Sequence, residues 1–219
     1  MRLSLVTPPT VEPVTIAEVK SVSRASISES DDDANFNAWI STAREIVEGT
    51  INRQLITATW RMCLDYWPSE SRLQNGNDAL PGWVTNAYNQ QNSIQFPYPP
   101  LIAVTSVNYV DTGGTTTLWP TSNYRVSTFG TPGLLTLDYG KYWPPIRPVQ
   151  DAIVILFTAG YGTSPTSVPQ SAKSAIRTIV DEFDKNRALS LVGDGGFRMY
   201  PNVLSLERIL APLMWGQYN

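Results

Sequence analysis

Apolar residues recur at three- and four-residue steps through Phe36, Trp39, Ile40, Ala43, Ile46, Val47, Thr50 and Ile51, which predicts an amphipathic helix with one buried stripe. From Ile56 the period drops to two. Ile56, Ala58, Trp60, Met62, Leu64 and Tyr66 alternate with Thr57, Thr59, Arg61, Cys63 and Asp65, as in a half-buried strand. Further short strands are predicted at Ser93-Ile94-Gln95-Phe96, 104–110, 115–118, Tyr124-Arg125-Val126 and Leu134-Leu135-Thr136-Leu137. The turn Asp111-Thr112-Gly113-Gly114 makes a hairpin of 104–110 and 115–118. Ile153-Val154-Ile155-Leu156-Phe157 is too short for a helix and shows no alternation, so it predicts a strand covered on both faces and closed by Gly160 and Gly162. After Pro165 and Pro169 the helical period returns in Ala172, Ile176, Ile179, Val180 and Phe183 and runs to about Arg187, with the pairs Lys173/Arg177 and Asp181/Lys185 expected on the solvent side. Val203, Leu206, Ile209, Leu210 and Leu213 predict a last short amphipathic helix that ends near Pro212.

The period thus switches from 3.6 to 2 and back, which defines an α+β chain: a helical bundle with an inserted antiparallel β unit of five or six strands. The expected boundaries are 1–54 for a helical part with an N-terminal extended arm, 55–162 for the β insertion, and 163–219 for a helical part with a C-terminal docking segment. The arm follows from Pro8, Pro9 and Pro13, which do not fit inside a helix and leave a stretch that must lie on something. Thr15-Ile16-Ala17-Glu18 matches a capping box and starts a short helix to about Ser23. The acidic stretch 28–33 offers an aspartate to cap the long helix; as a calcium loop it lacks the glycine and the later glutamate. Asn75-Gly76-Asn77 and Pro81-Gly82 mark 68–92 as a long outer loop. Gly193-Asp194-Gly195-Gly196 follows a helix and has no Gly-Lys-Ser/Thr, so it reads as a hinge and not as a phosphate cradle.

Composition narrows the chemistry. A chain of 219 residues with 42% hydrophobic and 16% charged residues can bury a full core. No apolar run approaches the roughly 20 residues of a membrane span, and the first residues lack the apolar core of a signal peptide, so the protein is expected inside the cell when made. Histidine is absent and Cys63 is the single cysteine, which removes the commonest metal ligand and general base and any internal disulfide. No cofactor, metal site or catalytic residue is expected. A formal charge of −3 without a basic run argues against a dedicated duplex binder. Seven Trp, ten Tyr and 17 Pro, gathered mostly between 60 and 165, fit turn-rich β structure with aromatic pairs; some of these rings could instead belong to subunit interfaces.

In order and spacing the chain resembles the head–tail connector (head-completion or adaptor) proteins of long-tailed bacteriophages and related gene-transfer particles. The likeness is carried by Val6-Thr7-Pro8-Pro9 with 12–20, then Ala43-Arg44-Glu45-Ile46-Val47-Glu48 and Leu55-Ile56-Thr57-Ala58-Thr59-Trp60. It continues in Pro99-Pro100-Leu101, Val104-Thr105-Ser106-Val107, Tyr124-Arg125-Val126 and Phe157-Thr158-Ala159-Gly160-Tyr161-Gly162 before Val168-Pro169. The segments 68–92 and 193–200 depart from it. The resemblance implies a structural virion protein of the neck, made in the host cytoplasm and assembled as a ring, commonly of twelve copies. Its implied partners are the portal protein and the next connector, stopper or tail-terminator, with DNA passing through the channel during packaging and ejection. A mildly acidic conduit suits that passage, because a cationic lining would hold phosphates.

The C-terminal segment is where a partner surface is expected. Leu206, Ile209, Leu210, Leu213 and Met214 are spaced as helix anchors, and Trp215 and Tyr218 add large rings at a terminus. Either the segment folds back on its own bundle or it docks on the portal; the resemblance favours the portal. Two readings from other classes stay open. One is a carbohydrate-binding β module of a tail, and the other is a glycosidase using two of Asp65, Asp138 and Asp151, one with a raised pKa.

Overall fold

The computed structural model describes residues 1–21, 32–68, 93–185 and 203–214, and at 203–205 the backbone only. The expected loop over 68–92 (but for Pro68), the Gly193–196 hinge, the acidic positions 28–31, and Trp215 and Tyr218 lie outside the described residues. The fold is α+β. One unit is β-structured and comprises Met1–Pro9 and Thr57–Tyr161; the other is helical and comprises Thr10–Ile56 and the described residues from Gly162 onward.

Among the described residues eight strands, more than the five or six expected, make two antiparallel sheets in the β unit: β1 Arg2–Thr7, β2 Ala58–Leu64, β3 Ser93–Gln95, β4 Leu101–Val110, β5 Thr116–Leu118, β6 Tyr124–Ser127, β7 Leu134–Leu137 and β8 Ile153–Ala159. The larger sheet runs β1-β2-β8-β4-β5 and the smaller β3-β7-β6. The apolar run β8 is the central strand, with Phe157 opposite Trp60 on one side and Val104 on the other. Its inner residues Ile153, Ile155, Phe157 and Ala159 are buried together with Met62, Val107, Ile94, Phe96 and Leu135, so the two sheets share one core. Phe96 and Phe157 close it, their ring centres 5.0 Å apart. The outer residues Val154, Leu156 and Thr158 are only half-buried, which corrects the expectation of a strand covered on both faces. The hairpin between β4 and β5 is built as expected: Asp111 accepts the Thr115 amide at 2.9 Å and Gly114 takes φ +90°, a conformation that favours glycine.

The proline-bounded arm also needs correction. Arg2–Thr7 pairs with β2 over the register Arg2↔Cys63 to Thr7↔Thr59 and so belongs to the β unit; the prolines begin only after the strand has ended.

The helical unit holds α1 Ile16–Lys20, α2 Asp33–Ile51, α3 Gln170–Lys185 and α4 Val203–Leu210. Helix α3 packs on α1, α2 and α4. Phe36, Ile40, Ala43, Val47 and Ile51 form the buried stripe of α2, while Ile46 is exposed and Trp39 stands edge-on to Phe36 at its margin. Ala43, Ala172 and Ala175 are fully buried, and their small side chains allow close approach of the α2 and α3 backbones. The capping box is complete: the Glu18 amide donates to Thr15 Oγ1 at 3.2 Å and the Thr15 amide to Glu18 Oε2 at 2.8 Å. Asp32 occupies the N-cap of α2 without a side-chain capping bond; its carboxylate accepts from the Asn35 side-chain amide. Asp33 pairs with the buried Lys20 at 2.7 Å. Lys173 is not on the solvent side; it is buried and reaches Glu18 at 3.7 Å, whereas Asp181 and Lys185 do form the expected exposed pair.

Candidate assembly surfaces

The carboxylates that would serve a glycosidase are engaged by the fold. Arg2 bridges Asp65 and Asp151, and Asp65 also accepts the Asp151 amide at 2.8 Å, so the trio pins the start of β1 to the end of β2 and the start of β8. The Asp151 amide and Arg2 hold the Asp65 carboxyl below its ordinary value. Asp138 is likewise lowered by the Tyr139 amide and by Arg125, which it meets at 2.7 Å. An acid catalyst for glycoside cleavage needs the opposite shift. Among the described residues no group of three or more His, Cys, Asp or Glu could hold a metal ion.

The aromatic richness of the middle of the chain is largely internal. Trp67 stacks on Trp143 with ring centres 4.7 Å apart and touches Trp119, which in turn lies 5.1 Å from Tyr124. The Trp67 indole donates to the Pro144 carbonyl at 3.0 Å. These rings therefore close the core of the β unit and offer no sugar platform. Among the described residues the aromatics left in solvent are Phe129, Tyr139 and Tyr142, 102%, 99% and 85% exposed, on the turns that follow β6 and β7. Lone aromatics between Gly, Pro and Asp are visible in the sequence, but only the paired strands reveal which rings miss the core.

The expected docking residues divide. Leu206 and Leu210 are buried in the helical unit, where α4 packs on α3. Ile209, Leu213 and Met214 are half-buried, and Trp215 and Tyr218 are outside the described residues. Arg53 donates to the Leu213 carbonyl and so fixes the end of this segment to the region after α2.

A network missed by pattern reading surrounds Arg44, whose Nε meets Glu12 and whose Nη1 meets Glu48, each at 2.9 Å. Glu48 also accepts the Gln54 side-chain amide at 2.6 Å and the Leu55 backbone amide at 2.9 Å. Burial pushes the Glu48 carboxyl above its ordinary value, against the pull of the Leu55 amide and Arg44. Burial likewise works against the Arg44 charge, but Glu48 and Glu12 outweigh it and raise its pKa. The sequence signal was a charge lodged between Ala43 and Val47 on the buried stripe, with a glutamate four residues on.

What the fold leaves uncovered is a set of candidate surfaces: an edge strand β1 with Leu5 and Val6 exposed, the half-buried outer sheet face, turn aromatics and the partly covered end of α4. No described helix is long and apolar enough to cross a membrane. No family model and no curated protein matches the sequence. Solved structures do match the fold over its whole length. A chain in the neck of an empty gene transfer agent (GTA) particle, computed with C6 symmetry, superposes with TM-score 0.72 at 20% identity, covering 100% of this chain and 98% of that one. A chain of the virion of a native GTA particle gives 0.70 at 19% identity, and one from the neck of a native GTA particle, computed with C12 symmetry, gives 0.67 at 19%, with the same coverage.

Proposed function

We propose that this protein is a structural component of the neck of a phage-like particle, a head–tail adaptor that forms a ring joining the portal to the tail or to the next connector. The observation that carries the reading is the end-to-end match of its fold to chains of GTA necks and virions, with both partners covered almost completely. Sixfold and twelvefold symmetry in those necks supports a homo-oligomeric ring, and twelve copies is the number proposed. The engagement of Asp65, Asp138 and Asp151 by arginines and backbone amides accords with a role that needs no catalysis.

In this reading Leu206 and Leu210 hold α4 on its own unit, and the portal is met by Ile209, Leu213, Met214, Trp215 and Tyr218. DNA passes through the ring without specific contacts. The test is quantitative mass spectrometry of purified particles together with co-sedimentation with purified portal. Twelve copies per portal and a sedimenting complex are expected; particles without this chain would overturn the reading.

A further inference from the structure

The larger sheet is open at both ends. Its outermost strands are β1 and β5, and among the described residues neither has a second strand beside it. Such edges present unpaired backbone amides and carbonyls, and proteins usually guard them with charge, proline, bulges or burial. The smaller sheet follows that rule: β3 is buried over its whole length, and β6 carries the exposed Arg125. The larger sheet is guarded much less. Leu5 of β1 is 46% exposed with Val6 beside it, and Leu118 of β5 is 60% exposed. No residue of β5 is charged, and the one charge of β1, Arg2, turns back to Asp65 and Asp151 of its own unit. A bulge between Leu5 and Thr7 leaves Arg2–Leu5 regular.

The two edges also run the same way. Each neighbouring pair in this sheet is antiparallel, so direction alternates across it and the first and fifth strands agree. In a closed ring of identical subunits every contact joins two different patches, and with many members each copy is turned only modestly from the last. The β5 edge of one copy then meets the β1 edge of the next in parallel, and the sheet continues from subunit to subunit. A β1-to-β1 contact would instead close a dimer and leave both β5 edges open.

We propose that β1 and β5 are the two halves of a head-to-tail contact between copies of this chain, with Leu5 and Leu118 as its exposed apolar residues. The inference rests on the ring reading above and names the contact that builds the ring. A three-residue strand makes few ladder bonds, and parallel pairing is slightly weaker per residue than antiparallel. The contact therefore gains strength when many copies are held on one surface.

The experiment is disulfide trapping. In a Cys63→Ser background, Ser4→Cys on β1 is combined in one chain with Thr116→Cys, Thr117→Cys or Leu118→Cys in turn, so that every residue of β5 is sampled. Within one copy the two edges are separated by β2, β8 and β4, roughly 19 Å, beyond the roughly 7 Å between Cα atoms that a disulfide tolerates. Oxidation is run on the pure chain at high concentration and on the chain bound to purified portal. At least one combination should give a ladder of two, three and more linked copies on a non-reducing gel. Adding Leu5→Lys should reduce the ladder about tenfold or more and leave the melting temperature within a few degrees. No ladder in either arm, a ladder indifferent to Leu5→Lys, or dimers from Ser4→Cys alone, which mark a β1-to-β1 contact, would overturn the proposal. Portal that carries many copies without linking them would overturn this contact and leave the neck reading standing. A ladder from a pure chain that never binds portal would do the reverse.

Discussion

Leu156 and Phe157 are neighbours in one strand and both read as core, yet their side chains go to opposite faces and should respond very differently to truncation. Phe157 is 0% exposed, sits between Trp60 and Val104 in the register and packs against Phe96. Its replacement by alanine removes a fully buried ring and leaves a cavity that the sheets on either side cannot easily fill, a loss of about 3–5 kcal/mol, including about 0.5–1.5 from the aromatic pair. Leu156 is half-buried on the outer face, so truncation removes only part of a leucine's roughly 1.5–3 kcal/mol and opens no closed cavity; the expected loss is about 1 kcal/mol. Urea unfolding followed by tryptophan emission suits the comparison, since Trp60, Trp67, Trp119 and Trp143 all lie in the β unit. With a denaturant slope of about 2 kcal/mol per molar, Phe157→Ala should lower the midpoint by about 2 M and Leu156→Ala by about 0.5 M. Equal losses would show that the outer face is covered. A loss below about 1.5 kcal/mol for Phe157→Ala would refute the shared core of the two sheets.

Other consequences are open to direct measurement. In Gly133→Ala the new methyl carbon would lie 2.5 Å from Leu101 Cβ, forcing the backbone to shift; a loss of about 1–3 kcal/mol by thermal melting is expected. Thr15→Ala removes the capping hydroxyl of α1 and should cost about 1 kcal/mol. The Thr15 amide, and secondarily Lys173, hold the Glu18 carboxyl below its ordinary value against burial. Its stabilisation is therefore present above the ordinary glutamate pKa of about 4.3 and is lost as pH falls through the lower folded value. Melting Glu18→Gln from pH 6 to pH 2 should accordingly give a shallower acid-side decline than the parent protein. Truncation after Ala211 should leave the melting temperature within a few degrees and weaken portal binding by about thirtyfold, the loss of one aromatic anchor of about 2 kcal/mol; unchanged binding, or a collapsed melt, would reassign the segment to self-packing. The pure chain should sediment as a monomer or weak oligomer, and a closed ring at micromolar concentration without portal would contradict conditional assembly.

Local rules were readable where local chemistry decides. The stripe from Phe36 to Ile51, the Thr15 box and the Asp111 turn needed no distant partner to be recognised. Where the deciding contact lies far along the chain, pattern reading failed. Lys173 looked like a solvent residue because the carboxylate that receives its amine is Glu18, and its long stem is what the unit buries. Arg2–Thr7 looked like an extended arm of the helical part because its partner strand begins only at Ala58. Val154 and Leu156 are as apolar as their core-facing neighbours, so composition could not distinguish the two faces of β8. For the candidate surfaces, anchor spacing marked α4 as amphipathic, but spacing does not say whose groove receives the anchors.

The position of β8 at the centre of its sheet bears on the order in which the protein can be made. Its neighbours β2 and β4 are synthesised about 50 to 100 residues earlier, and helix α2 waits in the same way for α3. During translation at about 5–20 residues per second, more than two-thirds of the chain must emerge before either unit meets the element that completes its core. For several seconds or longer the nascent chain carries β2 and β4 without the strand that joins them. That interval is when a foreign strand could take the place of β8, so the hazard of misassembly in this chain is concentrated in its biosynthesis.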